Sequence, residues 1–222
     1  MSGINWEKSK ALTSLKHDLL TALFRYSRDF FLTGGSALGI FYLEHRRSYD
    51  LDLFSTHDID WHKLSNDIAC VAKEIGAEIK PLTTSITFRR YCATRGTEQE
   101  ILDFVREMVP QSEPAKNEID GILVDTLGEI TINKWCALLG RAEIKDIIDL
   151  YFLSRRVDIW KLFNEAKSKD GGMDPSIMSY LISQIAIIEM PDYMIAPLSL
   201  DTLKAFIEEM RLFFDKQSFP MI

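Results

Sequence analysis

The sequence lacks any apolar run long enough to cross a membrane. Its longest, around Ile119–Val124 and Ile182–Ile188, fall far short of the roughly 18 residues such a span needs. The stretch MSGINWEKSKALTS has no continuous apolar core of the kind a secretory leader carries, so a cytoplasmic location is expected. Paired cysteines are missing too. Cys70, Cys92 and Cys136 stand far apart with no C-x-x-C spacing, which removes a zinc knuckle and a disulfide framework and predicts reduced, mostly buried thiols. There is no excess of positive charge: the formal net charge is -7, which excludes polyanion binding through the whole surface. From Gly171 onward only Lys204, Arg211 and Lys216 are basic, so any nucleic-acid contact needs a local patch elsewhere. The common nucleotide motifs are absent as well, with neither G-x-G-x-x-G nor a glycine-rich loop ending in G-K-[ST].

What is present is a chain of 222 residues with 46% hydrophobic and 27% charged residues, enough for one large domain or two small ones with a proper core. Apolar residues at Leu12, Leu15, Leu19, Leu20, Leu23 and Phe24 predict an amphipathic helix within 5–27. DFFLTGG (29–35) reads as a short strand ending in glycines, and SALGIFYLEHR (36–46) as a helix capped by Ser36. DLDLFS (50–55) is a strand, and Asp60 caps a helix that runs to Ile75. AEIKPLTTSITFRRYCAT (77–94) and EQEILDFVREMV (98–109) read as two strands. Beyond Pro110–Pro114 a short apolar run, Ile122–Val124, is followed by helices at about 127–139, 145–155, 158–168, 175–188 and 200–216. The expected fold is α+β: a mixed or antiparallel sheet flanked by helices over residues 1–115, then a C-terminal helical bundle over 116–222.

In a strand, residues two apart face the same side, so Asp50 and Asp52 present their carboxylates together while Leu51 and Leu53 face the core. Two like charges about 5–7 Å apart destabilise a fold unless a cation sits between them, and a divalent metal is the natural occupant. The plainer alternative is a solvated strand end. Asp103, set among Ile101, Leu102, Phe104 and Val105, is a residue strands disfavour and burial penalises. It reads either as a third ligand or as a core aspartate paired with an arginine such as Arg106 or Arg89. Gly34 and Gly35, between a strand and a helix, let the backbone approach a ligand and expose N–H groups suited to phosphate; a tight turn explains them equally. Together these are the parts of two-metal phosphoryl or nucleotidyl transfer.

Other candidates have ordinary readings beside them. His57, Asp58, Asp60 and His62 could bind a metal or simply form a capped loop. His45 could orient the loop before Asp50 or lie on the surface. Arg46, Arg47, Arg89 and Arg90 could form the local basic patch or pair with nearby acids. Lys134 and Arg141 share a helix face if the helix passes Gly140 unbroken, and Lys145, Asp146 and Asp149 could be an ion-paired helix surface.

GGSAL followed by HRRSYDLDLF resembles the first motif of the nucleotidyltransferase superfamily, in the form typical of the AbiEii/AbiGii toxin family, GG-[ST]-A-L then H-R-x-S-x-D-[LIF]-D-[LF]-F. INKWCALLGRAEIKDIIDLYFL (132–153) resembles that family's second signature, and the likeness covers roughly 30–155. It implies a nucleotidyltransferase domain with a helical domain after it, acting on an NTP with two Mg²⁺ ions. The metal carboxylates would be Asp50, Asp52 and Asp103. Gly34, Gly35 and Ser36 would hold the triphosphate with Lys134, Arg141 and Lys145, and Lys134 and Asp146 would be the essential pair of the second signature. Lys145 stands where the family often has arginine, which keeps the charge and loses the bidentate geometry. The acceptor hydroxyl implied is an RNA end such as the 3′ terminus of tRNA, and the partners implied include a cognate antitoxin. A small-molecule or protein acceptor, or a nucleotide-binding module without turnover, are the rival expectations.

Overall fold

The computed structural model describes residues 5–218, and these divide after Thr126 into two compact units. Seven strands of the first unit form one mixed sheet: β1 (Phe31–Thr33), β2 (Asp50–Ser55), β3 (Glu78–Thr84), β4 (Phe88–Arg95), β5 (Glu98–Arg106), β6 (Asn117–Ile119) and β7 (Ile122–Val124), in the spatial order β3-β4-β5-β2-β1-β7-β6. β2 runs parallel to β5 and β1 parallel to β7, while the remaining neighbours are antiparallel. The first unit therefore extends beyond the expected boundary at 115, because β7 is hydrogen-bonded to β1. The apolar run at Ile122–Val124 foreshadowed β7. Its partner β6 was not expected, although the turn between them, Asp120-Gly121 with both φ positive, is the Asp-Gly signal of a two-residue hairpin.

The expected long strand over 77–94 is two strands, broken at a turn where Ser85 N–H donates to the Phe88 carbonyl at 2.7 Å. The first helix is also shorter than expected. α1 covers Ser14–Tyr26, because Thr13 caps it by accepting from Lys16 N–H at 3.0 Å. α2 (Gly34–Ala37) continues into a π-helical turn at Leu38–Leu43, and it is Thr33, not Ser36, that stands at the cap position. α3 (Trp61–Ile75) starts as expected, with Asp60 Oδ1 accepting from His62 N–H at 2.9 Å and Lys63 N–H at 3.0 Å.

Strand alternation decides the two faces of the sheet. Leu51, Leu53, Leu102 and Phe104 are fully buried, in the unit where α1 packs on α3, β5 and β7. Asp50, Asp52 and Asp103 alternate with them, as the period of two requires.

The second unit contains α4 (Leu127–Arg141), α5 (Ile144–Leu153), α6 (Ile159–Lys169), α7 (Pro175–Ser183) and α8 (Leu200–Ser218). Trp135 anchors its core, with its ring 5.2 Å from that of Phe163 and 5.8 Å from that of Phe214. α4 passes Gly140 unbroken and ends at Arg141, just before Ala142, whose φ is positive. α7 ends at Ser183, short of the expected 188, and Ile188 beyond it is exposed. Cys70 is exposed, and Cys92 and Cys136 are half-buried, so the thiols are less buried than expected. No helix among the described residues is long and apolar enough to cross a membrane.

Candidate active site

Parallel pairing of β2 with β5 places Asp52 opposite Asp103 in register. Asp50, two residues before, lies on the same side, and one oxygen from each of the three carboxylates falls within 4.8 Å of the others. Among the described residues this is the one group of three or more acidic, histidine or cysteine side chains within such reach. His57, Asp58, Asp60 and His62 form no such group: Asp60 caps α3, and Asp58 pairs with Arg106. An all-carboxylate oxygen set fits a hard divalent cation such as Mg²⁺.

The glycine turn lies directly against this cluster. Gly34 has φ +67, and a Cβ there would stand 2.1 Å from Asp52 Oδ2. Only a glycine lets the chain pass so close in that conformation. A Cβ on Gly35 would fall 2.6 Å from Arg46 Nη2 and 2.9 Å from Ser48 Oγ. The turn thus has a carboxylate on one side and a guanidinium on the other, which is a suitable setting for a metal-bound phosphate.

Several side chains, most of which the sequence did not single out, hold these parts in place. Ser48 Oγ donates to Asp50 Oδ1 at 2.8 Å, fixing one carboxylate. The Ser48 carbonyl in turn accepts from Lys16 Nζ at 2.6 Å, and Lys16 pairs with buried Glu100 at 3.1 Å. Thr33 Oγ1 donates to the fully buried Asp125 at 2.8 Å, with Lys116 Nζ on the other oxygen of that carboxylate at 2.8 Å. This ties the end of β1, where the glycine turn begins, to the end of β7. Ser36 is buried and its hydroxyl donates to the Asp50 carbonyl, so it fastens the turn to the carboxylate strand. His45 is fully buried rather than superficial.

Of the four arginines that could form a basic patch, three are buried or engaged by neighbours and Arg47 is exposed. Arg46 is only 3% exposed, and Arg89 lies over the Trp61 ring at 4.9 Å. Arg90 grips Asp103 through both oxygens, Nε to Oδ1 at 2.7 Å and Nη2 to Oδ2 at 2.6 Å. The pairing arginine is thus neither Arg106 nor Arg89. Its guanidinium is held above its ordinary pKa first by the hydrogen bond to Asp103 and then, against desolvation, by the charges of Asp103, Asp50 and Asp52.

In the second unit, Lys134 Nζ lies 3.0 Å from Asp146 Oδ1 and 2.7 Å from Asp149 Oδ2. Arg141 adds two bonds to Asp146, from Nε to Oδ2 and from Nη2 to Oδ1, both at 2.8 Å. Both aspartates are fully buried. Burial alone would push the Asp146 carboxyl up, but the Arg141 hydrogen bonds and the Lys134 charge outweigh it and hold the group below its ordinary value. Lys145 stands apart, paired with Glu143 at 2.7 Å. The second signature is therefore a charge cluster with Lys134, Asp146 and Asp149 buried and Arg141 closing it from the exposed side, not an ion-paired helix surface.

The model of a family described as "Nucleotidyl transferase AbiEii toxin, Type IV TA system" matches residues 18–221. No curated protein sequence matches the chain. Among solved structures, the chain is similar to a protein assigned as a nucleotidyltransferase from H. pylori, with a TM-score of 0.59 and 18% identity over 95% of this chain and 99% of that one. It is also similar to JHP933 from Helicobacter pylori, with a TM-score of 0.55 and 19% identity over 93% of each chain. At these identities the two structural likenesses speak for the fold.

Proposed function

The chain belongs to the AbiEii nucleotidyltransferase toxin family, and from that premise we propose that it transfers a nucleoside monophosphate from an NTP to an RNA hydroxyl, such as a tRNA 3′ end. The observation that supports this best is the contact between the glycine turn and the carboxylate cluster, since a triphosphate held by the turn would lie beside Asp52. Asp50, Asp52 and Asp103 would hold two Mg²⁺ ions, which when bound supply Lewis acidity at the α-phosphate and make the acceptor hydroxyl easier to deprotonate. Gly34 and Gly35 offer their N–H groups to the β and γ phosphates, with the Arg46 guanidinium beside Gly35 as the balancing charge. Ser36 and Ser48 orient Asp50. The acceptor oxygen forms its bond to the α-phosphorus as pyrophosphate leaves, and the hydroxyl proton passes to Asp103 or to solvent.

Lys134 and Asp146 enter as the essential pair of the second signature, with Asp149 and Arg141 holding them and Lys145 apart, paired with Glu143. Membership of a type IV toxin–antitoxin family also implies a cognate antitoxin.

A second reading, an acceptor hydroxyl on a small molecule or protein, is favoured by one observation: of the four arginines considered for a basic patch, Arg46 is buried at the turn and Arg89 and Arg90 are engaged by Trp61 and Asp103, which leaves Arg47 exposed. Both readings are separated by incubating the protein with Mg²⁺, total RNA and each of four α-³²P-labelled NTPs, with Asp52→Ala as control. The expected result is label on a discrete RNA band that the variant does not produce. Pyrophosphate release only in the presence of a metabolite extract would replace RNA by a small acceptor, and silence in both would leave a nucleotide-binding module.

A further inference from the structure

The row of side chains next to the carboxylates is largely aromatic. Strand pairing sets Asp52, Asp103 and Arg90 in one line across β2, β5 and β4, and two residues further along the strands it sets Phe54, Val105 and Phe88 in the next. Register partners, and residues two apart on a strand, share a face, so this second row lies on the face that carries the carboxylates. β1 extends it, since Phe31 pairs with Phe54 and their ring centroids lie 6.4 Å apart. The two ends of the row differ. Phe31 is buried, with Lys116 Nζ 4.3 Å from its ring centroid. Phe54, Val105 and Phe88 are only half-buried, whereas Leu53, Leu102 and Phe104 on the opposite face are fully buried. The Arg90 guanidinium carbon stands 5.6 Å from the Phe88 ring centroid, so the open end of the row finishes beside a cation.

We propose that Phe54, Val105 and Phe88 form a stacking platform for the terminal base of the acceptor RNA, with the Arg90 guanidinium at its end, and that the platform brings the acceptor hydroxyl to Asp103. The inference rests on the reading of the chain as an RNA nucleotidyltransferase. Half-exposed rings and a guanidinium on a sheet face are the surface on which unpaired bases stack. The spacing suits a nucleotide: two residues along a strand are about 6–7 Å, and a ribose spans that interval between its base and its hydroxyls. The side of the site suits an acceptor. The glycine turn meets the cluster at Asp52, whereas Val105 and Phe88 lie on β5 and β4, across β2 from β1 and its turn. In an in-line displacement the acceptor enters opposite the leaving pyrophosphate, so a triphosphate at the turn directs it to this side. Stacking is open to every base, because each has a π face, and it is not a charge contact, which suits a chain of net charge -7.

The test is fluorescence anisotropy in Mg²⁺ with a short oligoadenylate labelled at its 5′ end and the same strand ending in an abasic ribose, with and without a non-hydrolysable NTP analogue. The proteins are the wild type, Phe54→Ala, Phe88→Ala, Phe88→Leu, Phe54→Tyr and Phe88→Tyr, and thermal melts select the variants that remain folded. With the analogue bound, the wild type should hold the intact strand on the order of tenfold more tightly than the abasic one, the scale of one stacked base. The alanine variants, and Phe88→Leu, which keeps apolar bulk without the ring, should lose most of that preference. The tyrosine variants, which keep the ring, should retain it. Wild-type protein that binds neither strand, or binds the two alike, overturns the proposal with no variant needed. So do ring-removing variants that keep the preference, for the base would then be held elsewhere. A preference seen only without the analogue also overturns it, because the row would then belong to the base of the NTP. Wild-type protein that prefers the intact strand but labels no RNA in the transfer assay would instead sink the RNA transfer reading and leave the base site standing.

Discussion

At the scale of single residues, Gly34 is the most constrained position of the site. Alanine there meets two separate penalties: a left-handed backbone, worth roughly 1–2 kcal/mol for an L-residue, and a Cβ 2.1 Å from Asp52 Oδ2. Gly96 has nearly the same backbone, φ +60, with nothing within 4 Å of its Cβ position. Gly34→Ala should therefore lower nucleotidyl transfer on the order of 100-fold, the scale of a displaced reacting group, while Gly96→Ala lowers only the melting temperature. Equal activities in a labelling assay would show that the turn does not position the carboxylates. A second residue-scale expectation concerns Ser48, whose hydroxyl holds Asp50. Ser48→Ala should weaken Mn²⁺ binding by a few fold, consistent with one hydrogen bond of about 1 kcal/mol, and leave the fold intact by circular dichroism. The three aspartates were legible in the sequence because a period of two and an aspartate inside an apolar strand are local signals. Arg90, Ser48 and Lys16 were not, since their roles depend on which strands and loops become neighbours.

At the scale of elements, α4 and α5 are held by the cluster of Lys134, Arg141, Asp146 and Asp149. Removing the lysine takes an ion pair from each of two fully buried carboxylates, Asp146 and Asp149, and breaking a buried pair costs about 3–5 kcal/mol, so Lys134→Met should lower the unfolding midpoint of the second unit substantially. The same cluster predicts an acid limb. Asp146 is held below its ordinary value when folded, so the stability it contributes is fully present above the usual carboxylate range and is lost as pH falls through the lower folded value. In a chemical-denaturation series from pH 6 to about 2.5, Asp146→Asn should be less stable at the top and show a shallower fall towards acid. Parallel curves for the two proteins would remove Asp146 as the cause.

Helix positions in this unit were readable from the sequence pattern, and the structure adds the caps Asp158 and Asp174 on two of them. What escaped was decided by short signals or by tertiary support: the turn at Ser85, the cap at Thr13, the Asp120-Gly121 hairpin and the end of α7 ahead of the exposed Ile188.

At the scale of the whole molecule, charge decides how an RNA acceptor could be met. The net charge is -7, and many surface cations already face carboxylates: Arg25 with Glu74, Arg28 with Glu118, Lys63 with Asp29 and Arg211 with Glu208. A protein that tracks a polyanion by neutralising many phosphates shows a steep loss of affinity with salt, with a slope of about -0.7 per contacted phosphate for single strands. This surface allows few such contacts, and an RNA end would be recognised mainly by the reaction site. The logarithm of affinity for the acceptor RNA, measured by fluorescence anisotropy between 50 and 200 mM salt with a non-hydrolysable NTP analogue present, should therefore fall with a slope shallower than about -2, or roughly three phosphates. A slope several times steeper would mean that ordered basic side chains converge on the RNA despite the acidic total, and Arg47 and Arg89 would be the first to replace. A shallow slope together with RNA labelling would fit an enzyme that selects its acceptor at the terminal nucleotides, where a few contacts beside Asp103 suffice.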